Sequence, residues 1–362
     1  MSGPHASTPC VLFVGNYLHG AGRPQISAEI AARLSTGGLA VRTVSPLRWP
    51  PARLLHMAGS VWWRRGTLGA VCIDVFSSAA FRFAELCSRL AHRRCPIVLV
   101  LHGGNLPELA QRQPARLKRT LERADVVVSP SSWLRDQLQH LRADIRVIGN
   151  PLDVARYAAP DRPLPPAPHM LWLRAFHAIY QPDMAVRVLH ALSATHPTAR
   201  LTMIGPDKGD GSRQRVLDVA SKLCVTQRMT LHDAIPRDEV PATLAAHHGV
   251  FINTTSVDNT PVSVLEAMSS RLPVVSTDVG GVPHIAPHEQ RALLAPPDDA
   301  AAFAAAVARL ADDAALASRL IDNASAFVAT QDWSAILPQW RELFVSLAQS
   351  RSCSANTSAM NV

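Results

Sequence analysis

Between residues 159 and 169 the sequence reads APDRPLPPAPH, five prolines in eleven residues. Proline fixes its own φ and donates no backbone hydrogen bond, so neither a helix nor a central strand survives that density. The segment reads as a linker. On both sides of it the chain repeats one pattern. Before it, the apolar runs CVLFVG (10–15), LAVRTVS (39–45), AVCIDVFS (70–77), CPIVLVLHGG (95–104), ADVVVSPS (124–131) and DIRVIGNP (144–151) alternate with longer stretches such as QISAEIAARLSTGG (25–38), which has helical spacing and a glycine stop. After it come MLWLRAF (170–176), ARLTMIG (199–205), RMTLHDAI (228–235), GVFINT (249–254) and LPVVSTDVGG (272–281). Strands alternating with helices form parallel sheets covered on both faces. The expectation is therefore two doubly wound α/β domains. Helical pattern follows over 299–331. A last amphipathic helix spans 332–349 with Trp333 and Trp340 as packing anchors, and the polar SRSCSANTSAMNV (350–362) reads as a disordered tail.

Composition narrows the function classes. The 362 residues are 48% hydrophobic and 18% charged, a soluble globular balance. The start MSGPHASTPC lacks a basic-then-apolar leader pattern, and no apolar run reaches membrane-spanning length, which reads as a cytoplasmic protein. Six scattered cysteines (Cys10, Cys72, Cys87, Cys95, Cys224, Cys353) make no metal-ligand spacing and read as small core residues of a reducing compartment. No Asp-x-Asp pair occurs, so the simplest carboxylate site for a divalent ion on a diphosphate is missing, and the expected metal is none. Residues 1–150 carry 19 Lys+Arg against 8 Asp+Glu, residues 151–362 carry 17 against 20. The basic half favours an anionic partner, or reflects an arginine-rich composition in a chain with three lysines. No interleaved aromatic platform or helix-turn-helix pattern supports nucleic acid as that partner. PARLLHMAGSVWWRRG (51–66) mixes Leu54, Leu55, Trp62 and Trp63 with Arg53, Arg64 and Arg65, which suits a membrane surface or lipid-linked acceptor, or an ordinary buried helix end.

Ligands of open α/β sheets bind beyond the carboxyl ends of the strands, so chemistry is sought there. GNYLHGAGRP places Gly15, Gly20 and Gly22 before a helix, either to admit an anion or to turn the chain. His102, beside Gly103 and Gly104, either donates to a substrate hydroxyl or phosphate or satisfies loop carbonyls. Arg174 ends an apolar run, where its donor fork suits a diphosphate or a structural carboxylate partner. MIGPDKGDG offers Gly205 and Lys208 in a turn. In NTTSVDNTPVSVLEAM (253–268), Thr260 reads as N-cap and Pro261 as the first helical residue, with Asp258 in the loop and Glu266 inside the helix. The helix start suits a phosphate, and a carboxylate beyond it suits ribose hydroxyls. Gly280 and Gly281 open a further helix toward the same end.

The stretch NTTSVDNTPVSVLEAMSSRLPVVSTDVGGVPHI resembles the donor-site signature of glycosyltransferase family 4, retaining enzymes of the GT-B fold; VIGNPLDVARY (147–157), LWLRAF and MIGPDKGDG fit the same family. The resemblance implies two Rossmann-like domains facing across a cleft. An acceptor domain would span 1–155, a donor domain 156–332, with helix 333–349 packing back on the first. It implies Asp258, His102 and Arg174 as catalytic residues, and donor binding by Glu266 (ribose), Asn259, Thr260, Pro261, Gly280, Gly281, Gly205, Lys208 and Gly22. The implied activity is metal-independent, cofactor-free transfer of a hexose from a nucleotide-diphosphate sugar to a glycan or lipid-linked acceptor. A nucleotide-sugar epimerase and a non-catalytic nucleotide-sugar-binding subunit compete with it. Three positions depart from the family pattern: Asp258 stands for a glutamate, Ile179 for a lysine and His284 for an acid. The implied localisation is cytoplasmic, with peripheral contact to anionic membrane through the basic half.

Overall fold

A computed structural model describes residues 10–17, 26–77, 79–102, 105–160, 165 and 167–359, with side chains through 349. The chain divides into two compact units, Met1–Pro151 with Ser334–Val362, and Leu152–Trp333.

The first unit runs β1 (Val11–Val14), α1 (Ile26–Thr36), β2 (Val41–Val44), α2 (Pro50–Arg64), β3 (Ala70–Val75), α3 (Phe81–Ala91), β4 (Ile97–Leu101), α4 (Leu106–Arg112), α5 (Pro114–Leu121), β5 (Val126–Ser129), α6 (Ser132–Leu138) and β6 (Ile145–Val147). Its six-stranded sheet has the order β2-β1-β3-β4-β5-β6, and every pairing is parallel. Strands β1, β3 and β4 are buried at every residue, whereas the edge strand β2 is not. Helices on both faces explain why the central strands read as continuous apolar runs without alternation. From β1 the chain first adds β2 on one side and then β3 on the other. The loops after β1 and β3 therefore diverge and leave a crevice.

The second unit runs β7 (His169–Leu173), α7 (Pro182–Leu192), β8 (Arg200–Ile204), α8 (Ser212–Lys222), β9 (Met229–His232), α9 (Val240–Ala246), β10 (Val250–Asn253), α10 (Val262–Ser269), β11 (Val274–Thr277), α11 (Val282–Ile285), β12 (Leu293–Ala295), α12 (Ala300–Asp312) and α13 (Ala314–Ala329). Its parallel sheet has the order β12-β11-β10-β7-β8-β9. The reversal falls between β7 and β10. Strand β12, three residues long, is an addition to the strands read from sequence; LLA is too short to carry a period.

The second unit begins at Leu152, ahead of the boundary expected at 156, because Leu152 joins its far end. Its N–H donates to the Gln331 carbonyl at 2.9 Å and its carbonyl accepts from Trp333 N–H at 3.2 Å. The last helix, α14 (Trp333–Ala359), adds to the first unit. Trp340 and Phe344 are buried, and Phe344 meets Phe13 of β1 edge-on at 5.6 Å. The tail expected to be disordered from 350 is helical through Ala359; it contains neither proline nor glycine to stop the helix. Residues 360–362 lie outside the described residues. Cysteines 72, 87 and 95 are buried, but Cys224 is exposed and is not the core residue expected.

Candidate functional site

In the second unit, neighbouring strands deliver neighbouring loops. Arg174 follows β7 and Asp258 follows β10, the two strands flanking the reversal. Arg174 Nη2 donates to Asp258 Oδ2 at 2.5 Å, and Nη1 donates to Ser263 Oγ on α10 at 3.1 Å. The guanidinium carbon stands 4.0 Å from the centre of the Tyr180 ring. Arg174 and Asp258 side chains are 12% and 16% exposed, so the pair is shielded yet reachable. The carboxylate alternative for Arg174 is thus what the structure displays.

The loop after β10 is held by its own hydroxyls. Thr254 Oγ1 accepts from Trp172 Nε1 at 3.0 Å and donates to the Tyr180 carbonyl at 2.9 Å. Ser256 donates through both N–H and Oγ to the Ile179 carbonyl, at 2.8 and 2.9 Å. Position 179, where the family pattern has a lysine, therefore contributes a backbone anchor and no cation. The turn at 177–181 is fixed from the other side by Asp210, which accepts from Ala178 N–H at 2.8 Å. That bond, ahead of those from Ser212, lowers the Asp210 carboxyl to about 2.

Helix α10 begins at Val262, with Pro261 as its N-cap, φ −67° and ψ 108°. This corrects the sequence reading by one residue: Pro261 is extended, and Thr260 lies in the loop. Glu266 is 6% exposed, which removes the reading of a surface acid. Tyr157, 3% exposed in the turn that opens this unit, donates its hydroxyl to Glu266 Oε1 at 2.9 Å. A carboxylate oxygen has two acceptor sites, so Glu266 can hold Tyr157 and still accept from a diol.

The glycines act differently from expectation. Gly281 N–H donates to the Asp258 carbonyl at 2.9 Å, so this amide serves the loop and does not point at an anion. A Cβ on Gly280, at φ +55°, would lie 2.2 Å from the Asp258 carbonyl oxygen, and one on Gly281 1.9 Å from that of Asn259. Both glycines exist to let the loop after β11 touch the loop after β10. Gly205 does the same beside Arg174, whose carbonyl oxygen would be 1.7 Å from an added Cβ. Lys208 is exposed, and its N–H donates to the Phe176 carbonyl at 3.2 Å, which places its turn alongside the segment after β7. Asn259 is buried.

In the first unit the crevice holds a cluster that sequence reasoning found only in part. His102 follows β4; its Nε2 donates to Asp74 Oδ1 of β3 at 2.9 Å, and Ser27 Oγ of α1 donates to the same oxygen at 2.6 Å. Phe76 stacks on the imidazole with centroids 5.0 Å apart. Asp74 Oδ2 is buried without a hydrogen-bond partner among the described residues. A Cβ on Gly15 would lie 2.2 Å from it, so this glycine makes room for the carboxylate. Burial, then Asp74, then Cys72 push the Tyr17 phenol well above its usual range. Asp74 was hidden inside an apolar strand run, and its signal was the cost of burying an acid there. Gly22, Gly103 and Gly104 lie outside the described residues. Among the described residues no group of three or more His, Cys, Asp or Glu could hold a metal ion, and no helix is long and apolar enough to cross a membrane.

Two parallel-sheet units with polar loops at each reversal define a nucleotide-handling two-Rossmann class. The chain belongs to the GT-B glycosyltransferases: residues 19–156 match the model Glycosyltransferase Family 4, and residues 167–313 match Glycosyl transferases group 1. It is 25% identical over 253 residues to glycogen synthase of Mycobacterium tuberculosis, covering 68% of this chain and 60% of that protein. It is 32% identical over 119 residues to the phosphatidylinositol N-acetylglucosaminyltransferase protein of Arabidopsis thaliana, covering 32% and 26%. The chain thus spans less than two thirds of these curated relatives. Among solved structures it resembles sucrose-phosphate synthase of Thermosynechococcus elongatus, with TM-score 0.75, 19% identity, and 94% and 100% of the two chains covered. HepE of Anabaena in complex with UDP-glucose has TM-score 0.71 at 16% identity, with 93% and 100% covered.

Proposed function

We propose that the protein transfers a hexose, with retention at the anomeric carbon, from a nucleotide-diphosphate sugar to a glycan or lipid-linked acceptor, without a metal ion or cofactor. The carrying observation is the buried Glu266 carboxylate, oriented by Tyr157, behind the Arg174–Asp258 pair at the sheet reversal. In this reading Glu266 accepts the ribose hydroxyls, as an acid does in dinucleotide folds. Arg174 stabilises the charge that develops on the leaving diphosphate as the bond from the anomeric carbon breaks. Asp258, Asn259, Thr260 and Pro261 line the transferred sugar and its phosphate, and Lys208 stands alongside on its turn. Gly205, Gly280 and Gly281 shape the pocket through close backbone packing. Gly22 keeps the donor role that the resemblance gives it, and His102, oriented by Asp74, contacts the transferred sugar. The likeness to a structure holding UDP-glucose supports a nucleotide-sugar donor.

The Arg174–Asp258 bond gives this mechanism a specific feature. One donor of the guanidinium fork is already committed to a carboxylate, so a diphosphate must share or displace Asp258, and no lysine at position 179 assists. A binding-only protein is the second reading that the lost lysine favours. Incubation with labelled UDP-, GDP- and ADP-sugars separates the two: the transferase hydrolyses one donor slowly in the absence of acceptor. Stabilisation by a donor with no hydrolysis would establish the binding-only reading, and no response to any donor would refute both.

A further inference from the structure

The structure leaves one apolar surface unexplained by donor chemistry. Among the described residues seven large hydrophobic side chains are exposed, and five of them, Leu47, Trp49, Leu55, Trp62 and Trp63, lie on α2 and the turn before it. Helix α2 buries Met57 and Val61 inward. Leu55, Gly59, Trp62 and Trp63 follow the i, i+4, i+7, i+8 spacing of a second face, pointing away from the core. Trp63 is 84% and Leu55 73% exposed. Over Gly59, where no side chain fills the surface, a groove of about 550 Å³ opens between Leu55 and Trp63, with His56 and Arg64 beside it.

Arginine surrounds this face. Arg65 places its guanidinium carbon 3.5 Å from the centre of the Trp62 ring. Arg53 ties the preceding turn to the helix by donating to the carbonyls of Leu47 and Arg48, each at 2.7 Å. From Glu29 to Asp74 the chain has no acidic residue between them and six arginines (Arg33, Arg42, Arg48, Arg53, Arg64, Arg65). An apolar crest of tryptophan and leucine flanked by uncompensated arginine matches the chemistry of a helix lying in a lipid headgroup layer.

We infer that α2 and its preceding turn dock on an anionic lipid bilayer, with Leu55, Trp62 and Trp63 entering the headgroup boundary and Arg48, Arg64 and Arg65 meeting lipid phosphates. A second copy of the chain fits less well, because a two-fold contact through this face would oppose identical arginines with no acid to offset them. Nucleic acid fits less well, because the outermost side chains are apolar. The inference stands apart from the donor assignment: α2 carries none of the donor-binding residues, so either can fail alone.

The test is flotation of the full chain with vesicles of phosphatidylcholine alone or mixed equally with phosphatidylglycerol. Binding to the mixed vesicles is expected to exceed binding to neutral ones by about tenfold or more, and to fall as salt rises. Leu55→Ser/Trp62→Ser/Trp63→Ser should abolish flotation while leaving the thermal transition near that of the parent, because these side chains are exposed. Arg48→Gln/Arg64→Gln should reduce it without touching the apolar crest. Equal flotation with both vesicles, or full flotation of the triple serine variant, would overturn the inference. So would a dimer dissolved by that variant, or RNA binding lost in the arginine variant, in a protein that ignores vesicles.

Discussion

Glu266 sits among buried aliphatic side chains and accepts from the Tyr157 hydroxyl, contributed from more than a hundred residues earlier. Removing the carboxylate should remove donor binding: Glu266→Ala is expected to lose the thermal stabilisation that a saturating nucleotide-sugar gives the parent. Tyr157→Phe deletes one hydrogen bond to a charged group, about 1.5–3 kcal/mol, so titration calorimetry should find donor affinity weakened roughly tenfold to a hundredfold. Asp258→Asn should behave differently. It keeps a hydrogen-bonding group near Arg174 but removes the charge that orients the guanidinium, so turnover should fall more than donor affinity. If Asp258→Asn and Glu266→Ala shift the same kinetic parameter by the same factor, the division of labour is wrong. In the other unit Asp74→Asn should lower kcat while leaving the donor KM nearly unchanged, since Asp74 acts through His102. A rise in KM alone would show a purely structural role.

At the scale of elements, contact between the loops after β10 and β11 is decided by two glycines. Gly280→Ala adds a Cβ that overlaps the Asp258 carbonyl, at a φ of +55° that costs an alanine about 1–2 kcal/mol even in open space. It should destabilise the protein by more than that amount in urea unfolding; a neutral result would mean the loops are not in contact. A second element-level prediction concerns α9 and β7. Burial, then His169 and His248, lower the His247 imidazole to about 4 from the usual 6.5, and its Nε2 lies 3.0 Å from the His169 carbonyl. The folded state therefore keeps this ring neutral where the unfolded chain protonates it. Stability is full above about 6.5 and declines as pH falls toward 4, by at most roughly 3 kcal/mol from this group. His247→Gln should flatten the pH dependence of the urea midpoint between those values. Most strands were legible because burial on both faces leaves unbroken apolar runs. β12 was not, because three residues carry no period, and the cap of α10 was misplaced by one because Thr-Pro satisfies both assignments.

Across the whole molecule, the proline-rich linker and the repeated strand-helix alternation announced two units, and the similar proteins are of the same class. The site was legible where a residue type is costly in its surroundings, as with Arg174 at the end of an apolar strand. It was illegible where partners come from afar: Ser263 and Tyr180 around Arg174, Tyr157 behind Glu266, and Ser27 with Asp74 beside His102. At this scale the proposed activity should survive EDTA, since its charge stabilisation is assigned to Arg174 and the chain has no Asp-x-Asp pair. Loss of turnover with EDTA that is restored by added magnesium would overturn the metal-free mechanism.

By itself the sequence determined which segments form strands and helices and how many sheets they build, because those depend on local burial patterns and on proline's missing N–H. It also supplied the exposed tryptophans and arginines of α2, though not their exposure. The tertiary structure alone decided which glycines serve packing, which oxygen holds Arg174 and what orients Glu266. Sheet order places β7 beside β10 and β10 beside β11, and contacts between loops far apart in the chain follow from that order, which no local pattern encodes.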